Sequence, residues 1–253
     1  MSEISIVSIG GGPLLGAEGH LNHAIDMTGV SNPNVLIVPT PSSTLNRHAA
    51  RVNTAGEFFG KKLGLPIDVL HEFDAMPESA VLSEKLEWAD FAYITAGNSL
   101  YAMAEWKEYG VDKLLKEKAL GGLVLAGISA GAIAPFAWGQ SDPYTDRHAN
   151  SGEYVAIDAL NVVPVAVAPH FDRVQADGDI RGDDFPAMFE NKNKVRPLQY
   201  GFGIDNHAAL VVHDGVIAAR SSIQGGVTLF EMGEEEIHAS RLGTTDTVNI
   251  PIG

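Results

Sequence analysis

Gly121-Gly122-Leu123-Val124-Leu125-Ala126-Gly127-Ile128-Ser129-Ala130-Gly131-Ala132-Ile133 is the stretch that decides how the chain is read. An apolar run of strand length turns sharply at Gly127 and Gly131 and continues through small residues that suit a helix start. Gly-x-Ser-x-Gly in that strand–turn–helix context is the nucleophile-elbow pattern. The serine of such an elbow sits on a strained turn where backbone segments crowd, so its neighbours must be small. The turn lifts Oγ above the sheet edge, and the amide of the next residue, Ala130, points toward a developing oxyanion. Glycine-rich turns of this kind also bind phosphate or merely pack, so Ser129 needs support from other loops.

Outward from the elbow, residues 4–9, 35–38, 67–70, 91–95 and 123–128 read as strands. Residues 20–27, 46–63, 83–89, 100–106 and 112–119 carry helical spacing between them. The alternation predicts an α/β fold with a doubly wound, mainly parallel sheet flanked by helices. Ligands of such sheets bind at the carboxyl ends of the strands, where Ala96-Gly97-Asn98-Ser99 and Ser129 both fall. Gly10-Gly11-Gly12-Pro13 lacks the dinucleotide-binding spacing and reads as a tight turn that needs positive φ. Pro39-Thr40-Pro41 ends the second strand, with Ser42 or Ser43 available as a helix cap.

The second half is less regular. Residues 140–152 form a polar, turn-rich loop, and 160–168 a strand ending at Pro169-His170-Phe171-Asp172. Asp214-Gly215 between apolar runs predicts a hairpin with a primed turn. Residues 227–230 and a stretch near Val248 are expected to add antiparallel edge strands to the same sheet. No internal repeat, low-complexity tract or linker interrupts the chain, and residues 1–253 read as a single domain.

Composition narrows the function classes. A net charge of −15 leaves no basic footprint for nucleic acid and discourages docking on an anionic membrane. The chain has no cysteine, which excludes disulfides, thiolate metal sites and a cysteine nucleophile. Its longest apolar runs are strand-sized, and Met1-Ser2-Glu3-Ile4 lacks the flank of a secretory signal. A cytoplasmic protein is expected, as a monomer or a homodimer.

A serine nucleophile needs an adjacent base. Of nine histidines, His170 stands out because it ends a buried-looking strand and opens a polar loop. His207 is the second choice, while His20, His48, His71, His148, His213 and His238 read as solvated. An acid would orient the imidazole. Asp142 gives the order Ser, Asp, His, with Asp146, Asp172 and Asp205 as competitors. Asp177, Asp179, Asp183 and Asp184 fail the calcium-loop pattern, because Met188 stands where a bidentate glutamate is needed.

With these residues in place, the sequence resembles the peptidase E (aspartyl dipeptidase) and cyanophycinase family of serine peptidases. The matching pieces are Gly127-Ile128-Ser129-Ala130-Gly131-Ala132, Ala96-Gly97-Asn98-Ser99, Pro169-His170-Phe171 and Gly203-Ile204-Asp205, in the family's order. The resemblance implies a sheet like that of class I glutamine amidotransferases. It implies Ser129 as nucleophile, His170 as base, Asp142 as triad acid, and the Gly97 and Ala130 amides as oxyanion hole. Arg181, with Arg173 as a second candidate, would hold an aspartyl side chain, and Asn98 would contact substrate. The sequence departs from the pattern at Thr95-Ala96, where the family carries glycines, and at Asn206, where an acidic residue often follows Ile-Asp. Its loop between Asp142 and His170 is also longer. The implied activity is hydrolysis of peptide or isopeptide bonds in short, aspartyl-containing peptides through an acyl-enzyme, with no metal or organic cofactor. The rival readings are a non-catalytic binding protein of the same fold and an esterase or acyltransferase using the same serine.

Overall fold

Runs such as Val35-Leu36-Ile37-Val38 and Val124-Leu125-Ala126-Gly127-Ile128 are too apolar for a surface and too short for a stable helix. They form the centre of the molecule. A computed structural model describes residues 3–42, 44–73, 75–144, 153–175, 178–221, 225–234 and 236–251. The expectations at Ser43, Asp146, His148 and Asp177, and most of the 140–152 loop, lie outside the described residues. Strands β1 (Ser5–Ile9), β2 (Val35–Val38), β3 (Ile67–Val69), β4 (Phe91–Ile94) and β5 (Val124–Ile128) run parallel in the order β1-β5-β4-β2-β3. Helices α1 (Leu14–Asp26), α2 (Leu45–Ala55), α3 (Ser79–Trp88), α4 (Ser99–Tyr109) and α5 (Val111–Leu120) make the crossovers.

Successive strand residues serve opposite faces. Leu36, Val38, Ala92, Ile94 and Leu125 pack in the cluster that contains Leu82, Trp106 and Leu115 of α3, α4 and α5. Val35, Ile37, Phe91, Tyr93 and Val124 pack with Leu21 of α1 and with Phe58 and Phe59. Those two phenylalanines lie on a π-helical turn, Gly56–Lys62, that continues α2. Each fully buried side chain of this size contributes about 1.5–3 kcal/mol. The cap of α2 is Thr44, which accepts the Arg47 N–H, one residue beyond the expected pair.

After β5 the chain makes α6 (Ala130–Ile133) and leaves the large sheet. Strands β6 (Phe136–Ser141), β7 (Val155–Asp158), β8 (Val163–Pro169) and β9 (Tyr200–Ile204) build a second sheet, with α7 (Phe185–Asn193) between β8 and β9. Strands β10 (Ala208–His213) and β11 (Val216–Ser221) return to the large sheet, antiparallel beside β1. Asp214 and Gly215 between them have φ of 45° and 81°, as a primed turn requires.

One expectation is corrected here. Residues 227–230 lie in β12 (Val227–Met232), which pairs with β9 and with β13 (Ile237–Leu242) in the second sheet. The reason is burial: Phe230 closes an aromatic cluster with Trp138, Phe185 and Phe189 that the large sheet could not cover. Only Val248, in β14 (Thr247–Asn249), extends the large sheet as an edge. A second correction concerns histidines. His20, His48 and His71 are buried, His20 against the His207 carbonyl and His71 between Thr40 and the Glu72 carbonyl. Among the described residues no helix is long and apolar enough to cross a membrane.

The motif glycines act through close approach. A Cβ on Gly127 would overlap the Gly131 carbonyl, and one on Gly131 would overlap the carbonyl of Ile94. The obstacles are backbone atoms, which cannot swing away. Gly131→Ala should therefore cost about 1–3 kcal/mol, read as a lower urea midpoint at unchanged m-value; an unshifted midpoint would show that β4 and α6 separate freely.

Candidate active site

Ser129 sits where β5 passes into α6, with φ 58° and ψ −113°. A positive φ at a residue with a Cβ costs on the order of 1–3 kcal/mol and persists only where the surroundings hold it. Here its N–H donates to the Ile9 carbonyl at 3.0 Å, and its own carbonyl accepts the Ala132 N–H at 3.0 Å. The turn falls on the serine itself, with Gly127 and Gly131 on either side making room.

His170 also has a positive φ, 56°. It follows β8, and its N–H donates to the Gly10 carbonyl at 3.0 Å. Its Nε2 lies 2.8 Å from Ser129 Oγ and its Nδ1 2.8 Å from Asn206 Oδ1. Gly11 is the condition for this arrangement, because a Cβ there would overlap both the His170 ring and Asn206 Oδ1. Within the glycine triplet only Gly12, at 103°, has a positive φ, so close approach explains Gly11 where backbone freedom was expected. His207 turns elsewhere, its ring against Gly12 and Gly16.

The neighbours of His170 differ from the sequence expectation. Both ring nitrogens are occupied, and the Nδ1 partner is Asn206 where Asp142 was expected. Asp142 instead pairs with Arg181 at 3.3 Å. Arg181 is 2% exposed, and a guanidinium that deep requires a counter-charge. It also donates to the Gln140 carbonyl at 3.1 Å and lies 4.8 Å from the Tyr154 ring centre. Its cation is committed to the protein rather than presented to solvent. Asp205 is bound to Arg241 and to the Gly226 N–H. Asp172 accepts both the backbone and the side-chain N–H of Asn206, each at 2.8 Å. Asn206 was visible in the sequence only as a departure from the family pattern; its contact with His170 is a product of the fold.

Gly97 follows β4 under the Pro41 carbonyl, where any Cβ would overlap it. No acceptor for the Gly97 N–H is found among the described residues, which leaves that donor available. Asn98 caps α4 by accepting the Tyr101 N–H at 3.0 Å and donates to the Pro143 carbonyl at 3.0 Å. Its side chain thus ties two loops of the site together. A cavity of about 350 Å³ is lined by Gly97, Asn98, Ser129, Asp142 and His170 together with Arg47, Arg51, Arg173 and Arg181. A smaller one of about 130 Å³ shares Arg51, Ser129 and His170 and is otherwise edged by Gly11, Gly12, Leu14 and Tyr93. Among the described residues no cluster of three histidine or acidic side chains could hold a metal ion.

The electrostatics favour a neutral imidazole. Burial pushes His170 down to about 4, and the charges of Arg181 and Arg173 act in the same direction. The Asn206 hydrogen bond and the Asp142 charge oppose them without prevailing. Near neutral pH the ring is therefore uncharged and able to accept a proton.

Known proteins share the sequence family and the fold. The model of peptidase family S51 matches residues 6–219. The chain is 27% identical over 237 residues to YgaJ of Bacillus subtilis strain 168, described as an uncharacterized peptidase, covering 92% of this chain and 94% of that one. Two solved structures share the fold. A peptidase from an acI-B1 Actinobacterium superposes with a TM-score of 0.64 at 15% identity, covering 97% of this chain and 96% of that one. A Listeria monocytogenes EGD-e protein provisionally assigned as a peptidase E superposes with a TM-score of 0.56 at 20% identity, covering 96% and 100%.

The lowered His170 has a measurable consequence. Labelling of Ser129 by a fluorophosphonate should stay fast well below the ordinary histidine value of 6.5 and lose rate only near pH 4. Folding stability follows the same proton: it is full above 6.5 and declines as pH falls toward 4, because the unfolded chain then binds the proton more readily. A labelling midpoint at 6.5 would contradict the buried, arginine-flanked ring.

Proposed function

The chain belongs to peptidase family S51, and from that premise we propose that it is a serine peptidase acting on short acidic peptides. The observation that carries this reading is the 2.8 Å contact between Ser129 Oγ and His170 Nε2 in a cavity edged by arginines. Ser129 Oγ attacks the carbonyl carbon while its proton passes to His170 Nε2. The oxyanion is held by the Gly97 and Ala130 amides. His170 then protonates the leaving amine, the C–N bond breaks, and water releases the acyl group by the reverse sequence. A parallel sheet with the serine at the end of β5 fits the class I glutamine amidotransferase-like arrangement, and the chain works as one unit.

Acidic specificity is supported by charge placement. The molecule carries −15 overall, yet four arginines line this one cavity. Arg47, Arg51 and Arg173 are exposed, so their guanidiniums are the ones positioned to meet a substrate carboxylate. An anionic substrate also offsets the arginine charges that depress His170. It therefore strengthens the base once bound, which converts binding into rate. A cavity of about 350 Å³ suits a peptide of very few residues.

A panel of dipeptides and β-linked aspartyl peptides tests the reading. Ser129→Ala should lower kcat by about 10⁴-fold or more and leave the fold intact. Undiminished turnover would remove Ser129 from the chemistry; a wild type that neither cleaves nor reacts with fluorophosphonate would indicate a binding protein. Arg173→Ala should lose about 10–100-fold on acidic peptides selectively, the size of one charge-assisted hydrogen bond. Arg181→Ala should instead lower stability and impair all substrates, because it strips Asp142 of its counter-charge.

A further inference from the structure

Asn206 has a second neighbour whose chemistry limits what His170 can do. Asp172 Oδ1 lies 2.8 Å from Asn206 N and 2.8 Å from Asn206 Nδ2. A carboxylate only accepts hydrogen bonds, so both contacts must be N–H donations from Asn206. A side-chain amide carries its donor and its acceptor at opposite tips. With nitrogen drawn to Asp172, oxygen must face the imidazole. That oxygen also only accepts, so the proton on the neutral ring must sit on Nδ1. Nε2 is left with its lone pair toward Ser129 Oγ, 2.8 Å away.

We propose that Asp172, acting through Asn206, is the positioning residue that holds His170 in the tautomer able to take the serine proton. The proposal rests on the reading of Ser129 and His170 as nucleophile and base. The reversed amide would set an N–H against Nδ1 and an oxygen against the carboxylate. The ring proton would then move to Nε2, where it blocks transfer from Oγ. Asp172 prevents that reversal from outside the cavity, on an exposed side chain two residues from His170. The same turn, closed by the Arg173 N–H on the His170 carbonyl at 3.0 Å, delivers both the imidazole and the carboxylate. The Asn206 N–H on Asp172 fixes the far side of the bridge. During reaction the Oγ proton moves to Nε2 as the Oγ–C bond forms, and Nδ1–H keeps its bond to Asn206 throughout.

The test combines ¹⁵N NMR of the His170 ring with pH–rate profiles for wild type, Asp172→Ala and the exchanged pair Asn206→Asp with Asp172→Asn. Wild type should show the Nδ1–H tautomer at neutral pH. Asp172→Ala should admit the Nε2–H tautomer and lose about 10–100-fold in kcat with little change in KM, the usual effect of removing an orienting partner. The exchanged pair keeps an acceptor facing Nδ1 and an amide facing a carboxylate, but moves the carboxylate against the ring. It should recover most of kcat and shift the acid limb upward, since an adjacent negative charge favours the protonated ring. A residue that merely braced the turn would change melting temperature in Asp172→Ala and leave tautomer and acid limb untouched, which overturns the proposal. Because the tautomer is read without turnover, the two readings fail separately. A wild type inactive on all substrates whose tautomer still depends on Asp172 would sink the peptidase reading alone. Serine-dependent cleavage with an Asp172-independent tautomer would sink the positioning role alone.

Discussion

Two backbone hydrogen bonds at the end of β1 hold the site together. The Ile9 carbonyl accepts the Ser129 N–H and the next carbonyl, Gly10, accepts the His170 N–H, both at 3.0 Å. Ser129 arrives on the large sheet and His170 on the second, so these adjacent acceptors are where the sheets are brought into register. The Gly11 carbonyl adds the N–H of His207, which carries the neighbouring Asn206 into place. Each such bond is worth only about 0.5–1.5 kcal/mol net. Their value lies in position: a displacement of about 1 Å at a reacting group can cost roughly 10²-fold in rate. The glycines are the corollary, since side chains on that strand end would occupy the space of the imidazole itself.

Charge is arranged with the same economy. The Asp142–Arg181 pair lines the cavity, and Arg181 without its partner would be an uncompensated buried cation. The pair is part of the cavity wall, and the exposed Arg47, Arg51 and Arg173 line the same cavity.

How much of this was legible in the sequence follows from what each feature depends on. The parallel strands and their helical crossovers were readable because strand length and burial on both faces are local properties, as in Val35-Leu36-Ile37-Val38. Ser129 was readable because a strained turn with crowded backbone demands small residues at fixed spacing. His170 was marked by its place after a buried strand. The second sheet was not legible: β12 has the short pattern of an edge strand, and only the aromatic cluster around Trp138 decides which sheet it joins. The buried histidines escaped because an imidazole suits either environment, and what keeps His71 inside is a pair of partners distant from it or on the backbone. The partner of His170 was the hardest to read. Asp142 has the correct chain order, yet its partner is decided by Arg181, which needs it more.

Asn206 shows why a departure from a family pattern is best judged together with its neighbours. An acidic residue at that position would face Asp172, and two carboxylates in contact would compete for one proton. It would also lose the donor that Asp172 requires. An apolar residue would leave Nδ1 without a partner in a site dry enough for that to matter. A side-chain amide offers an acceptor to the imidazole and, on a separate atom, a donor to a carboxylate at the same time. Asn206 and Asp172 are therefore one feature expressed at two positions. The negative charge stands one residue out from the ring, with the amide between them. The low proton affinity of His170 follows from burial, reinforced by the charges of Arg181 and Arg173, which the Asp142 charge and the Asn206 hydrogen bond do not outweigh.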